Sequence, residues 1–166
     1  MEHLYAPWRR AFIESAQDAS EPPPCFFCAA ASADPTEDRE HLLLYRGPRT
    51  IVVMNRYPYN NAHLLVAPKE HTGDFVGLDT PTLHELGTVT QRCLAAITRV
   101  YRPDAFNVGM NLGRPAGAGI PDHLHSHVVP RWMGDTNFMP IVARTKVMSE
   151  TLDQTYDRLL PVLRGE

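Results

Sequence analysis

The chain has 166 residues, 43% of them hydrophobic and 21% charged, the balance of a globular chain long enough to bury a core without disulfide staples. A formal net charge of −3, with only two lysines (Lys69 and Lys146) and no basic run, excludes the broad electrostatic footprint that a nucleic-acid polymer needs. No apolar run approaches the roughly 18 to 20 residues that span a bilayer, and Met1 to Trp8 lack a basic segment followed by an apolar one, so a cytoplasmic location without a membrane partner is expected.

The first 16 residues carry Trp8, Phe12 and Ile13 at helical spacing after Pro7, and are read as a short docking helix. Pro22-Pro23-Pro24 makes a stiff loop. Cys25-Phe26-Phe27-Cys28 follows, then an Ala/Ser/Asp/Pro-rich stretch to residue 40, read as a loop with a short helix. Leu42 to Arg46 and Thr50 to Met54 are β-rich runs around Gly47-Pro48, which predicts a hairpin. A polar, aromatic loop from Asn55 to Asn61 leads to a third strand, Ala62 to Pro68. Leu83, Leu86, Val89, Cys93, Leu94, Ile97 and Val100 keep an i, i+3, i+4 pattern, the main amphipathic helix, over 81–101. Ala105 to Asn111 is a fourth strand, and residues 112–121, with Gly113, Gly117 and Gly119, form a loop. The fifth strand spans Asp122 to Arg131, with Pro130 marking the end of its ladder. A C-terminal helix is expected over 147–163, with Met148, Leu152, Tyr156, Leu159 and Leu160 as its apolar stripe. Three strands, a long helix and two strands fit an α+β fold, a five-stranded antiparallel sheet covered by helix, in one domain over 1–166. The Gly-rich loop lacks Gly-Lys-Ser/Thr and leads into a strand, so it is not a P-loop.

His123, His125 and His127 alternate along the fifth strand, which places all three imidazoles on one face. Unconnected surface or core histidines are one reading, but strict spacing beside a Gly-rich loop weighs against it. A shared metal is a second. At about 3.3 Å per residue the first and third Cα atoms lie about 13 Å apart, too far for one ion with bonds of about 2 Å, although two could ligate with a residue from elsewhere. Nucleophilic catalysis is the third. A neutral imidazole attacks phosphorus, a neighbour orients the phosphate or protonates the leaving group, and loop N–H groups hold the equatorial oxygens. Arg131 and Arg114 are nearby sources of positive charge. Cys25 and Cys28 have the spacing of a zinc half-site, or are two small buried thiols between phenylalanines. With Cys93 they make an odd number, which suggests reduced thiols rather than a disulfide framework.

His123-Leu124-His125-Ser126-His127-Val128-Val129 resembles the signature of the histidine triad (HIT) superfamily. Asn61 to Pro68 is similar to that superfamily's earlier strand with a fourth histidine, His63, and Asn55 stands at its ribose-contacting position. Phe106 to Asn111 with the Gly-rich loop resembles its phosphate-binding approach, so the likeness covers roughly residues 40–135. Leu4 to Arg9, the Cys25–Cys28 pair and Pro130 to Pro140 are similar to a bacterial branch that phosphorolyses diadenosine tetraphosphate (Ap4A). The resemblance implies His125 as nucleophile, with His127 and His63 contacting phosphate. It implies a substrate-binding set of Asn55, Asn111, Gly117, Gly119, Ser126 and Arg131. Ser126 departs from the pattern, where its slot is apolar, and is expected to face away from the imidazoles. The partners implied are a dinucleoside polyphosphate or mononucleotide, inorganic phosphate and a second copy of the chain. Phosphate as acceptor gives ADP and water gives AMP; a nucleotide-binding module with little turnover is the alternative from another class. The likeness further implies a structural zinc on Cys25, Cys28, His71 and His123, and no organic cofactor.

Overall fold

A computed structural model describes residues 24–143 and 145–165; the docking helix expected near the N-terminus lies outside them. In chain order the elements are α1 (Phe26–Ser32), β1 (Leu43–Arg46), β2 (Thr50–Met54), β3 (Leu64–Pro68), α2 (Thr80–Tyr101), β4 (Ala105–Met110), β5 (Ser126–Arg131), α3 (Met139–Val142) and α4 (Leu152–Arg164). Short 3-10 turns sit at Pro35–Glu37 and Arg114–Ala116. The strands form one sheet in the order β1-β2-β3-β5-β4, antiparallel at every pairing.

Alternation along the strands divides the sheet's two faces. Leu44, Val52, Met54, Leu64, Val66 and Val128 meet Leu86, Val89, Cys93 and Ile97 of α2 and Tyr156, Leu159 and Leu163 of α4 in the main core. Leu43, Ile51, Val53, Leu65 and Ala67 face the other way and are capped by Phe27 and Ala30 of α1. Burying such side chains stabilises by roughly 1.5 to 3 kcal/mol each. The same face carries His123 and His125, whose rings lie against Phe27, and the site forms there.

Local chemistry sets the element ends. Asp79 caps α2 by accepting from the Thr82 N–H at 2.8 Å, Pro81 suits the first turn, and Arg102 ends the helix in a left-handed conformation before Pro103. At the β1–β2 turn, Glu85 of α2 accepts from Arg49 N, Thr50 N and Thr50 Oγ1, tying the hairpin to the helix. Buried Asp38 accepts from Arg46 Nη2 at 2.6 Å and Arg164 Nη2 at 2.7 Å, while Arg46 also donates to the Ala31 and Ala33 carbonyls. One carboxylate thus joins β1 to α4, and Arg46 carries the connection on to α1.

Three boundaries differ from the sequence reading by two residues or more. β3 starts at Leu64 because Ala62, at φ 58°, is left-handed and cannot sit in a ladder. β5 starts at Ser126 and runs through Pro130 to Arg131. Pro130 is tolerated there because β3 pairs only as far as Val128, so only β4 flanks the proline. The C-terminal helix starts at Leu152, where Thr151 and Gln154 form a reciprocal capping box, and Met148 lies before it. Helix α3 was not expected; its four residues are too short for a periodic signal.

Candidate functional site

Although the strand begins at Ser126, His123, His125 and His127 still lie on one side of the sheet. The Phe27 ring contacts those of His123 and His125, at 4.8 and 5.1 Å between centroids, and the His125 and His127 rings are 5.0 Å apart. His63 joins them from the turn before β3, with Nε2 3.0 Å from His127 Nδ1. His63 keeps the alternation of Leu65 and Ala67, which face away from the main core that holds Ala62, Leu64 and Val66.

Hydrogen bonds to backbone groups fix each tautomer, because an amide N–H only donates and a carbonyl only accepts. Tyr59 N–H donates to His63 Nδ1 at 3.1 Å, so neutral His63 carries its proton on Nε2 and donates it to His127 Nδ1. His127 in turn carries its own proton on Nε2. His125 Nδ1–H donates to the His123 carbonyl at 2.8 Å, which leaves the Nε2 lone pair unprotonated. His123 Nε2–H donates to the Pro68 carbonyl at 2.8 Å and leaves Nδ1 as its electron-pair donor. Burial pushes the His125 pKa below its ordinary value, against the opposing pull of the His123 carbonyl. His123 is also lowered, by burial first and by its neighbours His71 and His125, again against the Pro68 carbonyl. The triad thus presents a neutral acceptor nitrogen on His125 beside an N–H donor on His127.

A cleft of about 220 Å³ opens onto His125 and His127. Phe26, Leu42, Met54, Leu65 and Ile120 give it apolar walls, and Asn55 and Tyr57 stand at a polar part of its lining. Asn55 is held by its amide against His63 Nδ1 at 3.3 Å and by its oxygen, which accepts from Tyr57 N at 2.9 Å. Gly119 also lines the cleft. Gly117 does not: its N–H closes the 3-10 turn on the Arg114 carbonyl at 2.9 Å and its carbonyl accepts from Asn111 Nδ2 at 3.3 Å. That N–H is therefore withdrawn from the expected phosphate-binding set. Ser126 leaves the substrate-binding set as well: it faces away from the imidazoles as expected, buried on the α2 side with Leu124 and Val128. Arg131 pairs with Asp135 and donates to Asn107, farther along the same face. Arg114 lines neither this cleft nor the groove beyond it.

Sequence pattern did not point to Phe26, His41, Tyr57 or Tyr59, which line the cleft because α1, the turn before β1 and the β2–β3 turn border it. The signal available was the aromatic richness of the stretch between Asn55 and Asn60. Trp132 is remote from the triad and lines a separate basin with Val147, Ser149 and Glu150.

Cys25, Cys28, His71 and His123 bring one donor atom each to within 4.8 Å of one another, a set able to hold a metal ion. Cys25 Sγ lies 3.3 Å from His123 Nδ1, Cys28 Sγ 3.2 Å from His71 Nδ1 and 3.6 Å from His123 Nδ1, and the two Nδ1 atoms 3.3 Å apart. Tetrahedral zinc, with bonds of about 2.0 Å to nitrogen and about 2.3 Å to sulfur, places its ligands about 3.3 to 3.8 Å from one another. The donor set fits, and the Pro68 carbonyl already holds His123 in the ligating tautomer. Burial, followed by the nearby Cys25 thiol, raises the Cys28 pKa, a crowding that a divalent cation offsets.

The HIT domain family profile matches residues 36–133. The chain is 38% identical to a Mycobacterium tuberculosis protein named AP-4-A phosphorylase, over 93% of this chain and 80% of that one. It is 27% identical to an archaeal HIT-like protein of Saccharolobus solfataricus over 85% of the chain and 99% of the relative. Among solved structures, a zinc-bound histidine triad family protein from Mycobacterium smegmatis superposes with a TM-score of 0.66 at 25% identity, covering 86% of this chain and 94% of that one. A histidine triad nucleotide-binding protein of Sulfolobus tokodaii superposes with a TM-score of 0.63 at 29% identity, over 85% and 90% of the two chains. With its imidazoles on one face, its antiparallel sheet and these matches in agreement, the chain belongs to the HIT domain family.

Proposed function

We propose that the chain transfers a nucleotidyl group from a dinucleoside polyphosphate to phosphate by way of His125, with Ap4A as donor. The observation that carries this is the tautomer pair, an electron-pair donor at His125 Nε2 beside the His127 N–H. The name of the M. tuberculosis relative supports the choice of substrate. One adenosine occupies the apolar cleft, with Asn55 at its ribose. His125 Nε2 attacks the phosphorus bonded to that nucleoside; the N–P bond forms, the P–O bond to the rest of the chain breaks, and ATP leaves with the bond's electron pair. His127 donates a hydrogen bond to the phosphate through its Nε2–H, and His63 holds His127 in that state. A phosphate oxygen then displaces His125 and yields ADP.

Cys25, Cys28, His71 and His123 would hold a zinc ion, which when bound would cross-link α1 to the triad segment. Thiolate ligands of this kind suit a reducing compartment such as the cytoplasm. The working form is a homodimer.

Incubating the protein with Ap4A, with and without phosphate, tests the reading. ATP plus ADP formed only with phosphate is the expected result, and His125→Ala lowers the rate by roughly 10³-fold or more. ATP plus AMP makes water the acceptor. Tight AMP binding without products makes the chain a binding module, and full activity in His125→Ala removes His125 as nucleophile.

A further inference from the structure

The cleft has a neighbour. On the other side of His127 lies a groove of about 470 Å³, lined by Asn60, Asn107, Asn111, Arg131, Thr136 and Lys146 among others. His127 and Tyr59 belong to both depressions, while His125 opens only onto the cleft. The two differ in chemistry. The cleft walls are largely apolar, whereas the groove, beside Val108, Met110, Val129 and Pro140, gathers three amides, two hydroxyls and two cations, with no carboxylate side chain among the described residues of its lining. In a chain of net charge −3 with two lysines, this concentration of donors departs from the average surface.

Both cations are held in place. Arg131 is fixed by Asp135 through Nε and Nη2 and by Asn107 Oδ1 through Nη1. Lys146 Nζ donates to the Asp135 backbone carbonyl at 2.8 Å. That carbonyl takes one of the three ammonium N–H bonds and leaves two for other acceptors, while the Asp135 carboxylate, bonded directly to Arg131, also interacts with the Lys146 charge. Arg131 is largely neutralised by Asp135, which leaves Lys146 as the groove's principal charge.

We propose that this groove is the subsite for the polyphosphate tail, the part of the substrate that leaves as a nucleoside triphosphate, with Lys146 as its cationic contact. The inference rests on the proposed function for its place in the reaction. An in-line displacement expels the leaving oxygen away from the His125 nitrogen, and the groove begins where His127 ends the cleft. Asn107 Nδ2, with its Oδ1 accepting from Arg131, and the second Nδ2–H of Asn111 provide hydrogen bonds to phosphate oxygens, as Lys146 provides charge.

The test measures the affinity of the full-length protein for AMP, ATP and inorganic tripolyphosphate by calorimetry, and the KM for Ap4A. It uses Lys146→Gln, which retains an N–H donor, and Lys146→Arg, which retains the charge. Lys146→Gln is expected to weaken ATP and tripolyphosphate about tenfold and to raise the KM for Ap4A similarly, while AMP changes less than about twofold. Lys146→Arg is expected to restore most of the loss, and added salt to shrink the difference. Equal weakening of AMP and ATP, or of neither, overturns the subsite. If the wild type converts Ap4A and Lys146→Gln leaves its KM unchanged, the groove fails and the function stands. If the wild type does not convert Ap4A yet ATP and tripolyphosphate follow the expected pattern, the function fails and the groove stands as an anion site.

Discussion

Asp135 shows how a single residue outside the triad supports it. Its side chain is 7% exposed and accepts from Arg131 Nε at 2.6 Å, Arg131 Nη2 at 2.9 Å, Asn60 Nδ2 at 3.0 Å and Trp132 N at 3.2 Å. Because Asn60 also donates to the Pro130 carbonyl, the carboxylate links the β2–β3 turn, which carries His63, to the end of β5, which carries His127. The Arg131 guanidinium holds the Asp135 carboxyl well below the usual carboxylate range, against the upward push of burial. Asp135→Asn is expected to destabilise the fold by about 2 kcal/mol at pH 7, since it removes a charged partner and leaves donors unsatisfied. A depressed folded-state pKa contributes stability that is present above the unfolded value near about 3.9 and disappears as pH falls toward the folded value. The gap between wild type and variant in urea unfolding should therefore hold from pH 7 to pH 5 and narrow below about pH 4. A gap unaffected by acid, or none at neutral pH, contradicts this role. The triad spacing was legible at this scale, but its proton positions were not. Those depend on the Tyr59 N–H, the Pro68 carbonyl and the His123 carbonyl, groups every sequence possesses and only the fold brings to a ring nitrogen.

Between elements, the candidate metal centre depends on one close crossing. The segment carrying His71 passes beside the segment carrying His123, where Leu124 N donates to the Thr72 carbonyl at 2.7 Å. Gly73 permits the approach: a Cβ there would lie 2.5 Å from the Pro121 carbonyl oxygen and 3.3 Å from the Asp122 Cα, both backbone atoms unable to yield cheaply. Gly73→Ala is expected to spread the two segments, destabilise the fold by roughly 1 to 3 kcal/mol and weaken zinc at least about tenfold. Metal analysis of the purified variant against a competing chelator, with thermal unfolding alongside, reads both effects. Wild-type zinc retention in the variant would show that the crossing does not shape the site. Elements with chemical stops were legible in the sequence: α2 ends within a residue of its expected bounds because Asp79, Pro81 and the Arg102-Pro103 step act locally. The Gly73 crossing had no such signal, being a contact between two loops distant along the chain.

For the whole molecule, the two edges of the sheet are treated differently. β1 is covered by α4, where the Tyr156 hydroxyl donates to the Leu43 carbonyl at 2.9 Å and Leu159 and Leu163 are buried beside it. β4 forms the opposite edge, with Ala105, Asn107, Val108 and Gly109 exposed and the Val108 side chain 49% exposed on an otherwise paired strand. An uncovered edge presents unpaired backbone groups to any compatible strand, and an identical β4 related by a two-fold axis satisfies them antiparallel to itself. The fold class was legible from strand count and helix placement, whereas the strand order and this asymmetry come from the fold, in which, among the described residues, α4 protects one edge alone. Homodimerisation along β4 predicts that sedimentation velocity of the wild type gives a dimer at micromolar concentration. Val108→Lys, which sets like charges near each other across the axis, should raise the dissociation constant at least about tenfold. AMP affinity should be retained in the dissociated variant, because Val108 lies outside the lining of the apolar cleft. A wild type that sediments as a monomer throughout the concentration series rules out the β4 pairing, and a variant that remains dimeric moves the interface elsewhere.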